Sequence, residues 1–290
     1  MKKKIYIFIL VIATWAPSSS PASELLTIVY SNLGQLCSTT PDGATNFCIS
    51  SEKEYRSPSW QPNGDHIVAG SGYHDGAYEL VLLNKDGSLI RYLYKSNKFI
   101  RPVWSPDGEF IYGLNYSYAK SIRKWDSEGK KFTDVPVKGA ESEYKYLQMI
   151  SFSPSNKRAV LLLDNFNKML LVSVYNDHFQ AIKIILKDYS YVSQSVWLDD
   201  NNLLFVGKKD EPRGELWELN VDSEKVRKLG VPRLWLRDFV TLSPDGKAVI
   251  VCAMPDNEET KWNLWHYSFG SPHAKRITDG IEDVSPYWRH

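Results

Sequence analysis

Pro102-Val103-Trp104-Ser105-Pro106-Asp107-Gly108 recurs in degraded form along the whole chain. Related copies are Pro58-Ser59-Trp60-Gln61-Pro62-Asn63-Gly64, Ile150-Ser151-Phe152-Ser153-Pro154, Ser195-Val196-Trp197-Leu198-Asp199-Asp200-Asn201, Val240-Thr241-Leu242-Ser243-Pro244-Asp245-Gly246 and the terminal Pro286-Tyr287-Trp288. The large apolar position falls at Trp60, Trp104, Phe152, Trp197, Leu242 and Trp288, with spacings of 44, 48, 45, 45 and 46 residues. A period in this range is that of a four-stranded propeller blade.

The second repeat has the clearest punctuation. Residues 58–60 read as a short first strand, Asn63-Gly64 as a turn, 66–70 as an apolar second strand, 78–84 as a third, Asp86-Gly87 as a hairpin turn and 89–94 as an alternating outer strand. Proline before the aromatic is tolerated where a strand begins, proline after it cannot donate to a ladder, and glycine supplies the positive φ of a tight turn. The aromatic is then a wedge between neighbouring blades. A second register agrees: each third strand carries Leu80, Ile122, Leu170, Leu216 or Leu264 about 18 to 22 residues after the wedge.

Six wedges occur, but Trp288 stands two residues from the end and cannot begin a blade. Residues 25–31, 35–40 and 46–51 read as three strands with no box before them, and 284–289 supply the missing inner strand. The expectation is an all-β, six-bladed β-propeller with four-stranded blades over residues 23–290, closed by strands from both termini. Closure removes sheet edges that would otherwise invite aggregation.

Ahead of it, a positive start at residues 1–4, an apolar run from Ile5 and Ser20-Pro21-Ala22 read as a secretory signal peptide over 1–22. The alternative is a retained anchor, against which the apolar run is about half the ~20 residues of a spanning helix. Cleavage would remove three of the 35 basic residues, leaving 32 against 34 acidic ones and a net charge of about −2. That balance argues against nucleic acid, and the basic cluster Lys225, Arg227 and Lys228 reads as a solvated strand face. No other run is long enough to span a membrane. A periplasmic or secreted monomer is expected.

Cys37 and Cys48 lie symmetrically about Asp42-Gly43, which reads as a two-residue hairpin turn. Opposed residues then sum to 85, which places the two cysteines face to face, as a disulfide in an oxidising compartment or as opposed thiols. Cys252 lies in an apolar strand and reads as a small core residue.

Trp104-Ser105-Pro106-Asp107-Gly108, Leu242-Ser243-Pro244-Asp245-Gly246 and Arg276-Ile277-Thr278-Asp279-Gly280 followed by Pro286-Tyr287-Trp288 resemble the WD40-like PD40 repeats of TolB-type propellers. The resemblance spans residues 24–290. It weakens in the fourth repeat, where Ser155-Asn156 replaces Asp-Gly, and further in the fifth, where Leu198-Asp199-Asp200 replaces Ser-Pro-Asp. TolB-type proteins are periplasmic and bind envelope proteins, notably the lipoprotein Pal, so the resemblance implies a TolB-like scaffold for an envelope protein or peptide. They also carry an α/β domain ahead of the propeller, for which this chain has no room. The shared residues are turn and wedge positions, so no catalytic role carries over.

The six histidines fall at unrelated repeat positions, and no metal or cofactor is expected. Tyr73-His74-Asp75 reads as a polar loop tip, because adjacent side chains on an extended segment point apart. Segments entering each innermost strand gather on one face of a propeller. There they place Tyr55, Arg56, Phe99, Arg101, Tyr146, Gln148, Tyr191, Trp235, Arg237, Asp238 and Asp283, joined by Tyr73, His74, Tyr118 and Arg213 from the loops between second and third strands. Aromatics and arginine dominate protein-binding hot spots, so this face is the expected binding surface of a non-enzymatic protein. The alternative is a carbohydrate-active propeller, either a lyase of uronic-acid polymers or a glycan binder.

Overall fold

The computed structural model describes residues 28–49, 54–62, 64–72, 78–96, 100–114, 121–139, 146–163, 167–176, 178–210, 213–231, 234–255 and 261–289. The leader assigned to 1–22 lies outside them, as do Tyr73, His74, Phe99 and Tyr118. Among the described residues every regular element is a strand, and none is a helix.

Strands β1 (Ile28–Asn32), β2 (Gln35–Thr39) and β3 (Asn46–Cys48) are antiparallel neighbours, and β4 (Tyr55–Trp60), β5 (His66–Ser71), β6 (Tyr78–Asn84) and β7 (Leu89–Ser96) form a four-stranded sheet in chain order. Next come β8 (Val103–Trp104), β9 (Phe110–Leu114), β10 (Ser121–Asp126) and β11 (Phe132–Lys138), then β12 (Leu147–Phe152), β13 (Arg158–Leu163), β14 (Lys168–Tyr175) and β15 (His178–Leu186). These eight share one sheet, because β11 and β15 pair in parallel through Val137↔Phe179 and Lys138↔Gln180. The repeat does not predict this join, which depends on two outer edges meeting in space.

Strands β16 (Tyr191–Val192) and β17 (Val196–Trp197) both pair with β18 (Asn202–Lys208), which continues to β19 (Glu215–Asn220) and β20 (Val226–Leu229). The inner strand of the weakest repeat is therefore broken. Between its halves the Ser193 hydroxyl accepts from the Val206 N–H at 2.9 Å. Strands β21 (Leu234–Leu242), β22 (Ala248–Pro255), β23 (Asn263–Ser268) and β24 (Lys275–Arg276) make another four-stranded sheet. The last strand, β25 (Asp283–Trp288), pairs with β1 through Ile28↔Trp288, Val29↔Tyr287, Ser31↔Val284 and Asn32↔Asp283, giving the order β25-β1-β2-β3.

The turn chemistry of the box explains its recurrence. The Asp245 carboxylate accepts from the Ser243 hydroxyl at 2.6 Å and from the Lys247 N–H at 3.1 Å, while Ser243 Oγ accepts from the Ala248 N–H at 2.9 Å. These bonds, the serine hydroxyl foremost, hold the Asp245 carboxyl below the usual carboxylate range. Gly108 and Gly246 take φ of 72° and 69°, and Asn156 fills the same place at 58°, as asparagine tolerates better than most residues.

The wedges also join sheets by hydrogen bonds. Trp104 Nε1 donates to the Ser59 carbonyl at 3.2 Å, and Trp197 Nε1 to the Ser151 carbonyl at 3.1 Å. In each case the acceptor directly precedes the wedge of the preceding repeat. Trp60, Trp104, Trp197, Leu242 and Trp288 are buried, and Phe152 is half-buried against Tyr112 at 4.8 Å between ring centroids.

Cys37 and Cys48 oppose each other and form a disulfide. With 11 residues of separation, closure restricts the unfolded chain by about 3 kcal/mol in the chain-entropy model. The two-residue turn is corrected to a longer one. Strand pairing stops at Thr39↔Asn46, and the loop is held by Thr45 C=O accepting from the Thr40 N–H at 3.0 Å and by Asp42 Oδ1 accepting from the Ala44 N–H at 3.0 Å. The register survives because the longer loop has the same centre. Cys252 is buried in the core, as its apolar strand requires.

Candidate functional site

The inner strands run from an entry end, near the loops between second and third strands, to an exit end at the box turns. In β4 this is fixed by the pairs Tyr55↔Ser71 and Trp60↔Ile67. The entry end carries the expected surface, and the structure draws four of its residues together around β21. Trp235 and Arg237 stand two apart on that strand and share a face, and Phe239 follows inside the pairing irregularity between Arg237 and Val240. The Arg213 guanidinium lies 4.3 Å from the Trp235 ring, Arg237 lies 5.2 Å from Trp262, and Arg101 reaches Phe239 at 5.5 Å. Arg237 also pairs with Glu282 at 3.3 Å, both side chains being partly exposed. Phe239 and Trp262 were missed at the sequence level. Phe239, an aromatic two residues beyond Arg237 in the same entry segment, could have been nominated with it, whereas Trp262 arrives from the residue just before β23 and leaves no such sign.

Other expected surface residues stand apart from this cluster. Tyr55 is 4% exposed and Asp283 fully buried, which corrects their assignment to a binding surface. Arg56 is exposed and pairs with Glu54 at 3.7 Å, a contact of little strength in water. Tyr146, Gln148 and Tyr191 are half-buried near the entry ends of β12 and β16, with Lys208 Nζ 5.8 Å from the Tyr191 ring. Asp238 belongs to β21, at an irregularity in its pairing between Arg237 and Val240.

Asp283 acts inside the protein. Its Oδ2 accepts from the Gly280 N–H at 2.8 Å and from Asn263 Nδ2 at 3.1 Å, tying β25 to β23 and to the loop before itself. Burial pushes its carboxyl above the usual range, opposed by hydrogen bonds from Thr278, Asn263 and Gly280. A carboxyl raised in the folded state binds more protons folded than unfolded at pH values above its unfolded 3.8, so stability falls as pH rises through that window. Asp283→Asn is expected to remove this component. Urea midpoints from pH 4 to 7 should fall with pH more steeply in the parent than in the variant, and parallel profiles would refute the role.

Below the cluster, toward the box turns, the inner strands enclose a cavity of about 320 Å³. Ser57, Trp104, Phe152, Trp197, Phe239 and Tyr287 bring walls from β4, β8, β12, β17, β21 and β25. Ser57 and Ser285, both in its wall, take φ of 48° and 56°, an uncommon conformation for serine and less usual still before proline. Among the described residues no group of three histidine, cysteine or acidic side chains is placed to hold a metal ion. No helix of the described residues is long and apolar enough to cross a membrane.

No family model matches the sequence, and no curated protein matches it. Solved structures do resemble it. TolB from Acinetobacter baumannii superposes with a TM-score of 0.72 at 14% identity, over 91% of this chain and 66% of that one, so this chain spans about two thirds of the TolB length. A TolB-designated protein from Agrobacterium tumefaciens gives 0.64 at 12% identity, over 90% and 91% of the two chains. An oligogalacturonate lyase solved with manganese gives 0.53 at 13% identity, over 88% and 73%. At these identities the likeness is one of fold, and the fold is the TolB-like β-propeller.

Proposed function

We propose that this protein is an exported, non-enzymatic, six-bladed propeller whose entry end, built around β21, binds an envelope protein or peptide. The six-blade reading treats the eight-stranded sheet as two groups of four joined by β11 and β15, and β16 with β17 as one interrupted inner strand. Pairing of β25 with β1 supports closure by both termini. Export rests on the leader-like pattern of residues 1–22.

The observation that carries the binding role is the set of three arginine–aromatic contacts along β21. An arginine resting on an aromatic face is already partly immobilised, which lowers the entropy lost on association. A Pal-like lipoprotein is the partner class suggested by the TolB-like fold. The carbohydrate-active reading gains support from the lyase among the structural neighbours. The uncharged cavity offers a uronic-acid polymer no cationic partner, so in that reading the polymer would lie along the entry-end arginines instead.

Arg101, Trp235 and Arg237 replaced together by alanine should abolish binding of a purified Pal-like lipoprotein and capture of envelope proteins from extract. The melting temperature should stay within a few degrees of the parent, since these side chains are not in the buried core. Undiminished capture by the folded variant would remove the surface assignment.

A further inference from the structure

The cavity below β21 is a second place where a ligand could sit, and its chemistry differs from that of the entry end. The entry end presents guanidinium groups. The cavity wall, among the described residues, holds no charged side chain. Its volume of about 320 Å³ lies at the small end of ligand pockets, which run from about 300 Å³ upward. Five aromatic rings, Trp104, Phe152, Trp197, Phe239 and Tyr287, contribute to the wall, and prolines from several box copies supply further flat apolar surface. Hydrogen-bonding groups are spread around it: Ser57, Ser105, Ser151, Gln194, Thr241 and Ser285 all line it.

The level of its boundary follows from the repeat register. Ser57, Gln194, Phe239 and Ser285 each stand three residues before a wedge, and all four line the cavity. Arg101 occupies the same repeat position but is absent from the lining, its guanidinium meeting Phe239 instead. This contact separates the uncharged space from the arginine-bearing entry end. The two left-handed serines fall at the same level in adjacent repeats, so backbone strain concentrates in this wall.

We propose that this cavity is a binding site for a small, neutral, aromatic ligand of about two fused rings with one or two hydrogen-bonding groups, entering from the box-turn end. Size excludes a folded partner. Burying an ion among these walls would cost its hydration without a counter-charge, so neutral compounds are selected over anions of the same shape. Packing against Phe152, Phe239 and Tyr287, the half-buried rings of the wall, and bonds to the serine hydroxyls or Gln194 supply recognition.

The test uses the full-length protein and N-phenyl-1-naphthylamine, a neutral probe that brightens in apolar surroundings. Saturable one-site binding is expected, reversed by 2-naphthol, with naphthalene-2-sulfonate needing at least about tenfold more to displace the probe. Gln194→Trp, which fills the space, should abolish binding while the protein melts as before, and Arg237→Ala, at the entry end, should leave binding unchanged. Absence of saturable binding, equal displacement by the sulfonate, or full binding to folded Gln194→Trp would each overturn the proposal. Should Gln194→Trp fail to fold, competition on the parent protein still decides. Partner capture at the entry end and probe binding in the cavity can fail separately.

Discussion

Deleting residues 281–290 is expected to abolish cooperative folding, or at least to lower the melting temperature by more than about 10 °C. The segment is the inner strand of the sheet that also holds β1, β2 and β3. Trp288 packs in one core cluster with Ile28, Tyr30, Cys37, Ile250, Cys252 and Leu264, residues drawn from both ends of the chain. Its N–H donates to Thr241 Oγ1 at 3.0 Å, and Asp283 ties the same strand to Asn263. Loss of one buried large apolar side chain costs about 1.5–3 kcal/mol in transfer energy alone, and the deletion removes several, together with a ladder of backbone bonds. Against a total stability of about 5–15 kcal/mol this is a large share. Calorimetry or circular dichroism checks it: a truncated protein melting within about 2 °C of the full chain would show that β25 does not hold the two ends together.

The second large effect is expected at the wedges. Trp104→Ala should cost about 3–5 kcal/mol, the usual range for an indole removed from a packed core. Trp104 is buried with Val68, Leu80, Leu82, Ile111 and Trp125, a cluster drawn from two sheets. Trp104→Phe separates packing from hydrogen bonding. It keeps most of the apolar volume but leaves the Ser59 carbonyl without its indole donor, at about 1–3 kcal/mol. Urea unfolding at constant m-value measures both. A phenylalanine variant as stable as the parent would mean that the indole bond contributes nothing to joining the sheets, and that the wedge acts by bulk alone.

Much of this architecture was legible from residue order, for a physical reason. The Ser243-Pro244-Asp245-Gly246 turn is made by atoms within five residues of each other, so its recurrence reports a strand end wherever it appears. The Cys37↔Cys48 pairing was readable for the same reason, because a hairpin's register follows from its centre even when the loop length is misjudged. Box strength does not set inner-strand length: the break between β16 and β17 falls at residues 193–195, ahead of Leu198-Asp199-Asp200, and the clearest box follows β8, an inner strand of two residues.

The candidate site was legible only in outline. Nominating the segments that enter the inner strands grouped Arg101, Arg213, Trp235 and Arg237, which the structure brings to contacts around β21. It also swept in Tyr55 and Asp283, whose side chains turn into the protein. Position in a repeat states which end a residue occupies, not which way its side chain faces once neighbouring sheets pack.

The sequence by itself determined the succession of repeats, the box turns, the wedges and the facing of the two cysteines, since each follows from short-range backbone preferences. Only the tertiary structure decided that Arg101 meets Phe239, that β11 joins β15, that Asp283 is enclosed, and that an uncharged cavity lies below the arginine cluster. Those outcomes depend on distances between residues far apart in the chain, set by how the sheets pack around a common axis rather than by any local pattern.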